Sequence, residues 1–329
     1  MRYWSILMVL SLLSSCKRQA IEGVLKSNEE VAAISDVKTN ERGIVYISKD
    51  DGRSWENRSN GIPDNVFLTD IAVSNNSLGI ATKQHGIYLY DFTIQMWKPI
   101  KNNKPTSSDI DAFFMSDEKL YVGTHGEGVF ISENNGKEWG KINAGLRNLT
   151  IRRLLKIGNK LFAGTNGGLF SFDSKKNIWT KEYGDNALQV NGIALHDDEV
   201  YIGTNQGAFK GLLNHNNWNL IMPGRSLHNI SVANGVIYAM AYNELFASKD
   251  KGESWYSDQP GLPDGMYSFQ VIALGNEVFD GQWDGIYRKD KQENWVRWSN
   301  GLPTKIPITE MKTFSGILVA ATSQWYTAD

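Results

Sequence analysis

The chain has 329 residues, of which 41% are apolar and 21% are charged, and its formal net charge is −2 at pH 7. This balance suits a globular body and gives no electrostatic basis for binding nucleic acid, because no basic cluster with interleaved aromatic residues is present. A single cysteine in the whole chain excludes an internal disulfide framework.

The N-terminus has the features of an export signal. Met1 and Arg2 form a short basic start, and residues 6–13 form an apolar run that is too short for a permanent membrane span. No later stretch approaches the ~18 uninterrupted apolar residues of a membrane span. We therefore expect a signal peptide.

The apolar run ends in the tetrapeptide LSSC, which resembles the bacterial lipobox. In lipoproteins that carry this motif, cleavage precedes the cysteine, which is then acylated. The resemblance implies an exported lipoprotein held in the cell envelope by acylated Cys16, and it leaves open whether the inner or the outer membrane holds it. The expected organisation is a signal peptide over 1–15, a tether over 16–19 and one domain over 20–329. The alternative is an ordinary signal peptide with an incidental cysteine.

Tryptophans recur along the chain at spacings of 37 to 42 residues. They are Trp55, Trp97, Trp139, Trp179, Trp218, Trp255 and Trp295. Short alternating segments lie between them, as in residues 120–124 (LYVGT) and 161–165 (LFAGT). A period near 40 residues with such segments predicts an all-β chain that forms a β-propeller of four-stranded blades.

The first strand of each unit is predicted from an apolar residue that lies 11 positions before the end of the second strand. These residues are Val24, Ile71, Phe113, Leu154, Ile193, Ile230, Val271 and Met311. Seven units are whole, and the eighth stops after three strands. We expect eight blades with a three-stranded last one, because the first unit looks complete over residues 20–57. Seven blades, with the two termini sharing one, is the alternative.

The pattern S-x-D-x-G-x-x-W is intact at residues 48–55 and 248–255, and residues 132–139 have Asn in place of Asp. Ser and Asp at this spacing can hydrogen-bond the backbone of a tight turn, Gly can adopt a positive φ, and Trp can fill the core. The residues concerned are Ser48, Asp50, Gly52, Trp55, Ser132, Asn134, Gly136, Trp139, Ser248, Asp250, Gly252 and Trp255.

This pattern resembles the Asp-box, or BNR, repeat of β-propellers such as sialidases, sortilin-type receptors and photosystem II assembly factors. In those families the box is a turn between the outer two strands of a blade, on the face away from the ligand. The resemblance therefore implies a structural role for the box residues and places the functional site on the opposite face, which we call the loop face. This face carries the connections from strand 4 to strand 1 and from strand 2 to strand 3.

The loop face is predicted to present a mixed polar and aromatic ring around the mouth of the central channel. The ligand-binding candidates are Asp70, Asp111, Arg153, His228, Asn229, Gln270, Glu310, His125 and Trp283. Amides, carboxylates and aromatic rings of this kind bind a sugar or a peptide. Strand alternation predicts that the adjacent Arg152 and Arg153 point to opposite faces.

Catalytic motifs are absent from the sequence. The Arg-Ile-Pro motif of sialidases does not occur, and the five histidines show no metal-ligand spacing, so no metal or other cofactor is predicted. Asp70, Asp111 and Glu310 remain candidates for the paired carboxylates of a glycosidase. The sequence thus favours a non-catalytic binding or assembly module for a protein, peptide or glycan, and a surface glycoside hydrolase is the alternative.

Overall fold

The computed structural model describes residues 42–100, 105–116, 118–212 and 217–327. This part of the chain is all-β, and it contains no helix that could cross a membrane. The predicted signal peptide, Cys16, the tether and the strand around Val24 lie outside the described residues.

The described strands form seven four-stranded antiparallel sheets, the blades of a β-propeller. Blade 1 contains β3 (Leu68–Ser74), β4 (Ser77–Thr82), β5 (Gly86–Asp91) and β6 (Met96–Pro99), and blade 2 contains β7 (Ile110–Ser116), β8 (Lys119–Thr124), β9 (Val129–Ser132) and β10 (Gly140–Lys141). Blade 3 contains β11 (Ile151–Ile157), β12 (Lys160–Thr165), β13 (Gly168–Asp173) and β14 (Ile178–Tyr183), and blade 4 contains β15 (Val190–His196), β16 (Glu199–Thr204), β17 (Gly207–Leu212) and β18 (Trp218–Pro223).

Blade 5 contains β19 (Leu227–Ala233), β20 (Val236–Ala241), β21 (Glu244–Ser248) and β22 (Tyr256–Ser257), and blade 6 contains β23 (Ser268–Leu274), β24 (Glu277–Gln282), β25 (Gly285–Lys289) and β26 (Trp295–Arg297). Blade 7 joins the two ends of the described chain. It contains β27 (Glu310–Phe314), β28 (Ile317–Thr327), β1 (Arg42–Ser48) and β2 (Glu56–Asn57). The innermost strand of each blade contacts those of its two neighbours, which closes the ring.

The seventh blade corrects the expectation of eight blades, and the seven-bladed alternative is confirmed. β1 pairs with β28 in an antiparallel register that places Val45 opposite Ala321 and Ile47 opposite Val319. The third and fourth strands of the first unit are the outer half of a blade whose inner half comes from the C-terminal segment. This arrangement hydrogen-bonds the inner edge of β1 and removes an exposed sheet edge.

Five of the repeated tryptophans hydrogen-bond their blade to the one before it. Trp97 is 1% exposed, its indole N–H donates to the carbonyl of Arg58 at 2.6 Å, and its backbone N–H donates to the carbonyl of Asn60 at 2.8 Å. The same indole-to-carbonyl hydrogen bond links Trp55 to Trp298, Trp179 to Ile142, Trp255 to Ile221 and Trp295 to Asp258. These rings therefore fill the space between blades and also fix their spacing.

The glycines that follow the fourth strands complete these joints. Gly61 has φ +93°, and a Cβ built on it would lie 2.1 Å from the carbonyl oxygen of Trp97 in the next blade. Gly145, Gly261 and Gly301 approach Trp179, Trp295 and Trp55 in the same way. The Gly-Ile-Pro and Gly-Leu-Pro connections thus set the turn and also allow two backbones to approach closely.

Side-chain hydrogen bonds close the turns between the third and fourth strands that carry the repeated pattern. In the turn after β21, Ser248 Oγ accepts from the N–H of Gly252 at 2.8 Å, and Asp250 Oδ1 accepts from the N–H of Ser254 at 2.9 Å. Hydrogen bonds from the Ser254 side chain and backbone and from Ser248 lower the pKa of Asp250 to about 2. The turn after β1 has the same contacts.

Candidate functional site

A β-bulge at the start of the first strand in blades 1 to 6 shapes the site. The register between the first and second strands of blades 1 to 6 shifts by one residue there, for example between Leu68 and Asp70 and between Ile151 and Arg153. The extra residues are Thr69, Asp111, Arg152, Asn191, His228 and Phe269. All six line a pocket of about 490 Å³ at the channel mouth, which we call the mouth pocket.

These bulges correct the expectation that Arg152 and Arg153 point to opposite faces. Both residues line the mouth pocket, because an inserted residue interrupts the alternation of side chains along a strand. Glu310 also lines the pocket beside Thr309, and His125 reaches it from the turn after β8. The bulge in blade 3 thus brings Arg152 and Arg153 to one pocket, although strict alternation would separate them.

The candidate residues Asp70, Asn229 and Gln270 join neighbouring inner strands and line the channel rather than the mouth pocket. The carboxylate of Asp70 accepts from the N–H of Ile71 at 2.8 Å and from that of Phe113 in the next blade at 2.9 Å. Asn229 Nδ2 donates to the carbonyl of Phe269, and Gln270 Oε1 accepts from the N–H of Met311. Each side chain therefore holds one inner strand to the next.

A buried ion pair lies at the floor of the mouth pocket. Arg153 Nη1 lies 3.5 Å from Glu310 Oε1, and Arg153 Nε donates to the carbonyl of Asn191 at 3.2 Å. Burial raises the pKa of Glu310, with a further increase from Asp70, although Arg153 opposes both effects. Glu310 is 6% exposed, and its buried Oε2 has no hydrogen-bond partner, so the floor of the pocket contains an unsatisfied acceptor.

The rim of the pocket carries charges of both signs. Asp111 Oδ2 lies 2.8 Å from Nδ1 of the exposed His125, and Arg152 Nη1 donates to Asn166 Oδ1 at 3.1 Å. Burial lowers the pKa of Arg152, with Asp111 acting against it.

Lys83 and Ser323 also line the pocket, and they were not predicted from the sequence. Both directly follow the threonine that ends a second strand, as His125 does, and this shared position could have identified them.

Aromatic side chains cover the rim on blades 5 and 6. His228 stacks on Tyr267 with ring centroids 4.5 Å apart, and its Nε2 donates to the carbonyl of Ser268 at 2.7 Å. Burial lowers the pKa of His228, which favours the neutral ring. Tyr267 also contacts Phe269 and Tyr242 at 4.8 and 5.8 Å. The candidate residue Trp283 follows in the next turn, and its backbone N–H donates to the carbonyl of Tyr267 at 3.1 Å.

Within the described residues, no group of three or more His, Cys, Asp and Glu side chains is placed to hold a metal ion. The mouth pocket can therefore be described by its hydrogen-bonding and aromatic groups, which offer acceptors at the floor, donors at the rim and ring faces on one side.

No protein-family model and no curated protein sequence matches the chain. Several solved structures are similar to it. YCF48 bound to D1 peptide has a TM-score of 0.65 and 13% identity over 82% of this chain and 96% of that one. The extracellular domain of BT4673 from B. thetaiotaomicron has a TM-score of 0.66 and 12% identity over 89% of this chain and 40% of that one.

The GH74 xyloglucanase from Xanthomonas campestris has a TM-score of 0.63 and 13% identity over 80% of this chain and 52% of that one. The chain thus spans nearly all of YCF48 and about half or less of the other two structures. Identities this low show the fold alone. Together with the geometry, they establish the chain as a seven-bladed β-propeller.

Proposed function

We propose that this chain is a non-catalytic binding or assembly module, anchored in the bacterial cell envelope by acylated Cys16, that holds a protein, peptide or glycan on its loop face. The observation that carries the proposal is the mouth pocket. Six bulged residues and Glu310 converge there around a buried, unsatisfied carboxylate oxygen. A volume of about 490 Å³ lies within the ~300–1,000 Å³ range of ligand pockets.

The solved structure of YCF48 bound to D1 peptide supports a binding role, since it is a propeller of similar length that carries a peptide. We also propose that the chain belongs with the Asp-box propellers. In its turns after β1, β9 and β21 the glycine N–H donates to the serine Oγ at 2.8 Å, which supports a common turn design.

The contacts of the candidate acid/base residues favour binding over catalysis. Both oxygens of Asp70 accept backbone N–H groups, and Asp111 is occupied by His125. A surface glycoside hydrolase is the second candidate, because the raised pKa of Glu310 suits a general acid. The GH74 xyloglucanase has a similar fold. Turnover of a polysaccharide that is lost in Glu310→Gln would favour the hydrolase.

Binding of the purified full-length chain to a glycan array and to a peptide array tests the proposal. An Asp111→Ala/Arg152→Ala variant alters the rim without touching the contacts between blades, and we expect it to weaken binding at least 10-fold. Lys119→Ala/Glu133→Ala removes an exposed ion pair from the opposite face and serves as the matched control. Equal binding by all three proteins, or no binding by the wild type, would reject a ligand site at the loop face.

The anchor has its own test. Cys16→Ser should prevent acylation, so we expect the protein to move from the membrane fraction to the soluble fraction and to lose incorporation of labelled palmitate. Retention of the variant in the membrane fraction would contradict the lipoprotein assignment and would leave the loop-face proposal unaffected.

A further inference from the structure

Blades 5 and 6 differ from the other blades near the end of their second strands. The second strands share a position that is Thr82, Thr124, Thr165, Thr204 or Thr322 in five blades, but it is Ala241 in blade 5 and Gln282 in blade 6. The residue two places before it is apolar in six blades and is Asp280 in blade 6. The apolar residues are Ile80, Val122, Ala163, Ile202, Ala239 and Ala320. In blades 1 to 4 that Thr hydroxyl donates to a glycine carbonyl at 2.8 Å and closes the following turn.

Blade 6 replaces this turn contact with a buried polar cluster. Asp280 is fully buried, and its Oδ2 accepts hydrogen bonds from Ser268 Oγ at 2.8 Å and from the Gln282 amide. Gln282 Oε1 accepts from the N–H of Tyr267 at 3.1 Å. Burial raises the pKa of Asp280 to about 8, and its Oδ1 has no hydrogen-bond partner. A buried carboxyl costs stability, and here it holds the Ser268 side chain and the Gln282 amide, which in turn binds the Tyr267 N–H.

Aromatic residues surround Tyr267, whose N–H this cluster binds, and we call them the aromatic platform: the rings of His228, Tyr242 and Phe269 contact Tyr267, and the backbone N–H of Trp283 donates to its carbonyl. Tyr242 is 75% exposed and Trp283 is 55% exposed, the largest exposed fractions among the described aromatic side chains. Both directly follow the altered ends of the second strands. At the same position the other blades have polar residues: Lys83, His125, Asn166, Asn205 and Ser323. His228 and Phe269 also line the mouth pocket, so the platform continues into it.

We propose that the aromatic platform is a carbohydrate-binding subsite, on which one sugar ring of a neutral oligosaccharide stacks while its hydroxyl groups reach into the mouth pocket. The inference rests on the proposed binding function and names the ligand class of that site. Exposed aromatic faces pack against the apolar C–H face of a sugar ring, and a contiguous group of exposed rings marks a binding site.

The polar groups beside the platform match the hydroxyl groups of a sugar. Glu310 Oε2 and Asn191 Oδ1 are buried acceptors without a partner, and a hydroxyl can donate to each. Lys83 and Arg152 line the same pocket and supply donors for the hydroxyl lone pairs. A ligand that both donates and accepts at closely spaced positions and has an apolar face satisfies all of these groups.

The test uses the full-length chain on a glycan array, followed by calorimetric titration with the neutral oligosaccharide that binds best. We expect Tyr242→Ala/Trp283→Ala to weaken binding at least 10-fold with an unchanged Tm, because both side chains are exposed. We also expect the ligand-induced change in tryptophan fluorescence to disappear in Trp283→Phe. Tyr256→Ala, which removes an exposed aromatic ring from an outer strand, is the matched control and should bind as the wild type does.

Glycan binding that is unchanged in the platform variant would overturn the inference. So would the absence of glycan binding together with peptide binding that depends on Asp111 and Arg152, and that result would leave the proposed binding function intact. Failure to bind either class of ligand would reject both proposals.

Discussion

Single carboxylates in this protein are shifted in opposite directions by their surroundings. Asp250 lies in an exposed turn, where hydrogen bonds from Ser254 and Ser248 stabilise its charged form and lower its pKa to about 2. Asp280 is fully buried, and burial raises its pKa to about 8 despite hydrogen bonds from Gln282 and Ser268. The same residue type thus strengthens a turn in one blade and weakens the core of another.

Asp280→Asn should therefore change how stability depends on pH. The pKa of Asp280 is higher in the folded than in the unfolded chain, so the folded state binds a proton more tightly and loses stability as pH rises from about 4 to about 8. Asn is neutral throughout, so we expect the variant to gain at least ~1 kcal/mol relative to the wild type between pH 5 and pH 8. Thermal unfolding of both proteins at pH 5 and at pH 8 measures this change in their stability difference.

Asp250→Asn is the matched control for that experiment. The stabilisation from the charged form of Asp250 is present above about pH 4 and is lost as pH falls towards 2. Its Tm difference from the wild type should therefore be the same at pH 5 and pH 8. A constant difference for Asp280→Asn as well would contradict the raised pKa.

At the scale of secondary-structure elements, the joint between blades is the repeated feature. Each joint has a tryptophan, five of the joints have an indole hydrogen bond to a carbonyl of the preceding blade, and four have a glycine close to the tryptophan carbonyl. The period of the tryptophans is visible in the sequence because every blade needs one to fill the same space. Their hydrogen-bond partners lie 34 to 39 residues earlier in the chain, except where the joint crosses the termini.

Gly61→Ala tests the close approach at one joint. The added Cβ would meet the Trp97 carbonyl oxygen at 2.1 Å with φ at +93°, so the two blades must separate. We expect a loss of ~3 kcal/mol or more in the free energy of unfolding, from chemical denaturation. Gly265→Ala has a positive φ of +69° with open space around its Cβ, and it should lose only ~1–2 kcal/mol. Equal losses would show that the contact with Trp97 is unimportant.

The limits of sequence reasoning are clearest at this scale. The apolar residues of the repeat predicted the first strands of the seven described blades correctly, and the strand predicted around Val24 lies outside the described residues. The bulges at Asp111, Arg152 and His228 were missed because a bulge depends on hydrogen-bond register with a neighbouring strand, and no residue type specifies it. The aromatic cluster around Tyr267 was missed for a related reason, since its rings come from three different connections.

At the scale of the whole molecule, the two ends of the described chain close the ring. The sequence repeat indicated the number of units. The choice between seven and eight blades depends on which strand pairs with β28. Local sequence does not determine such a pairing, because the two strands are 272 residues apart. The structure pairs Ile47 with Val319. The ring is therefore held together by hydrogen bonds between its first and last described strands.

A disulfide tests this closure. In a Cys16→Ser background, Ile47→Cys/Val319→Cys places two cysteines at paired Cα positions, whose separation of ~4.5–5.5 Å suits a disulfide. We expect it to form on mild oxidation and to stabilise the fold by ~2–4 kcal/mol. Ile47→Cys/Phe279→Cys uses the equivalent second-strand position of blade 6 and should stay reduced. The reverse pattern would contradict the seventh blade.

The central proposal is that the propeller binds its ligand at the loop face. Site-specific photo-crosslinking in cells that express the protein tests this most directly, with the crosslinker placed at Lys83 or Trp283 on the loop face and at Lys119 on the opposite face. We predict adducts with a protein, peptide or glycan from Lys83 and Trp283 and none from Lys119. Adducts from Lys119 alone, or from all three positions equally, would contradict the account.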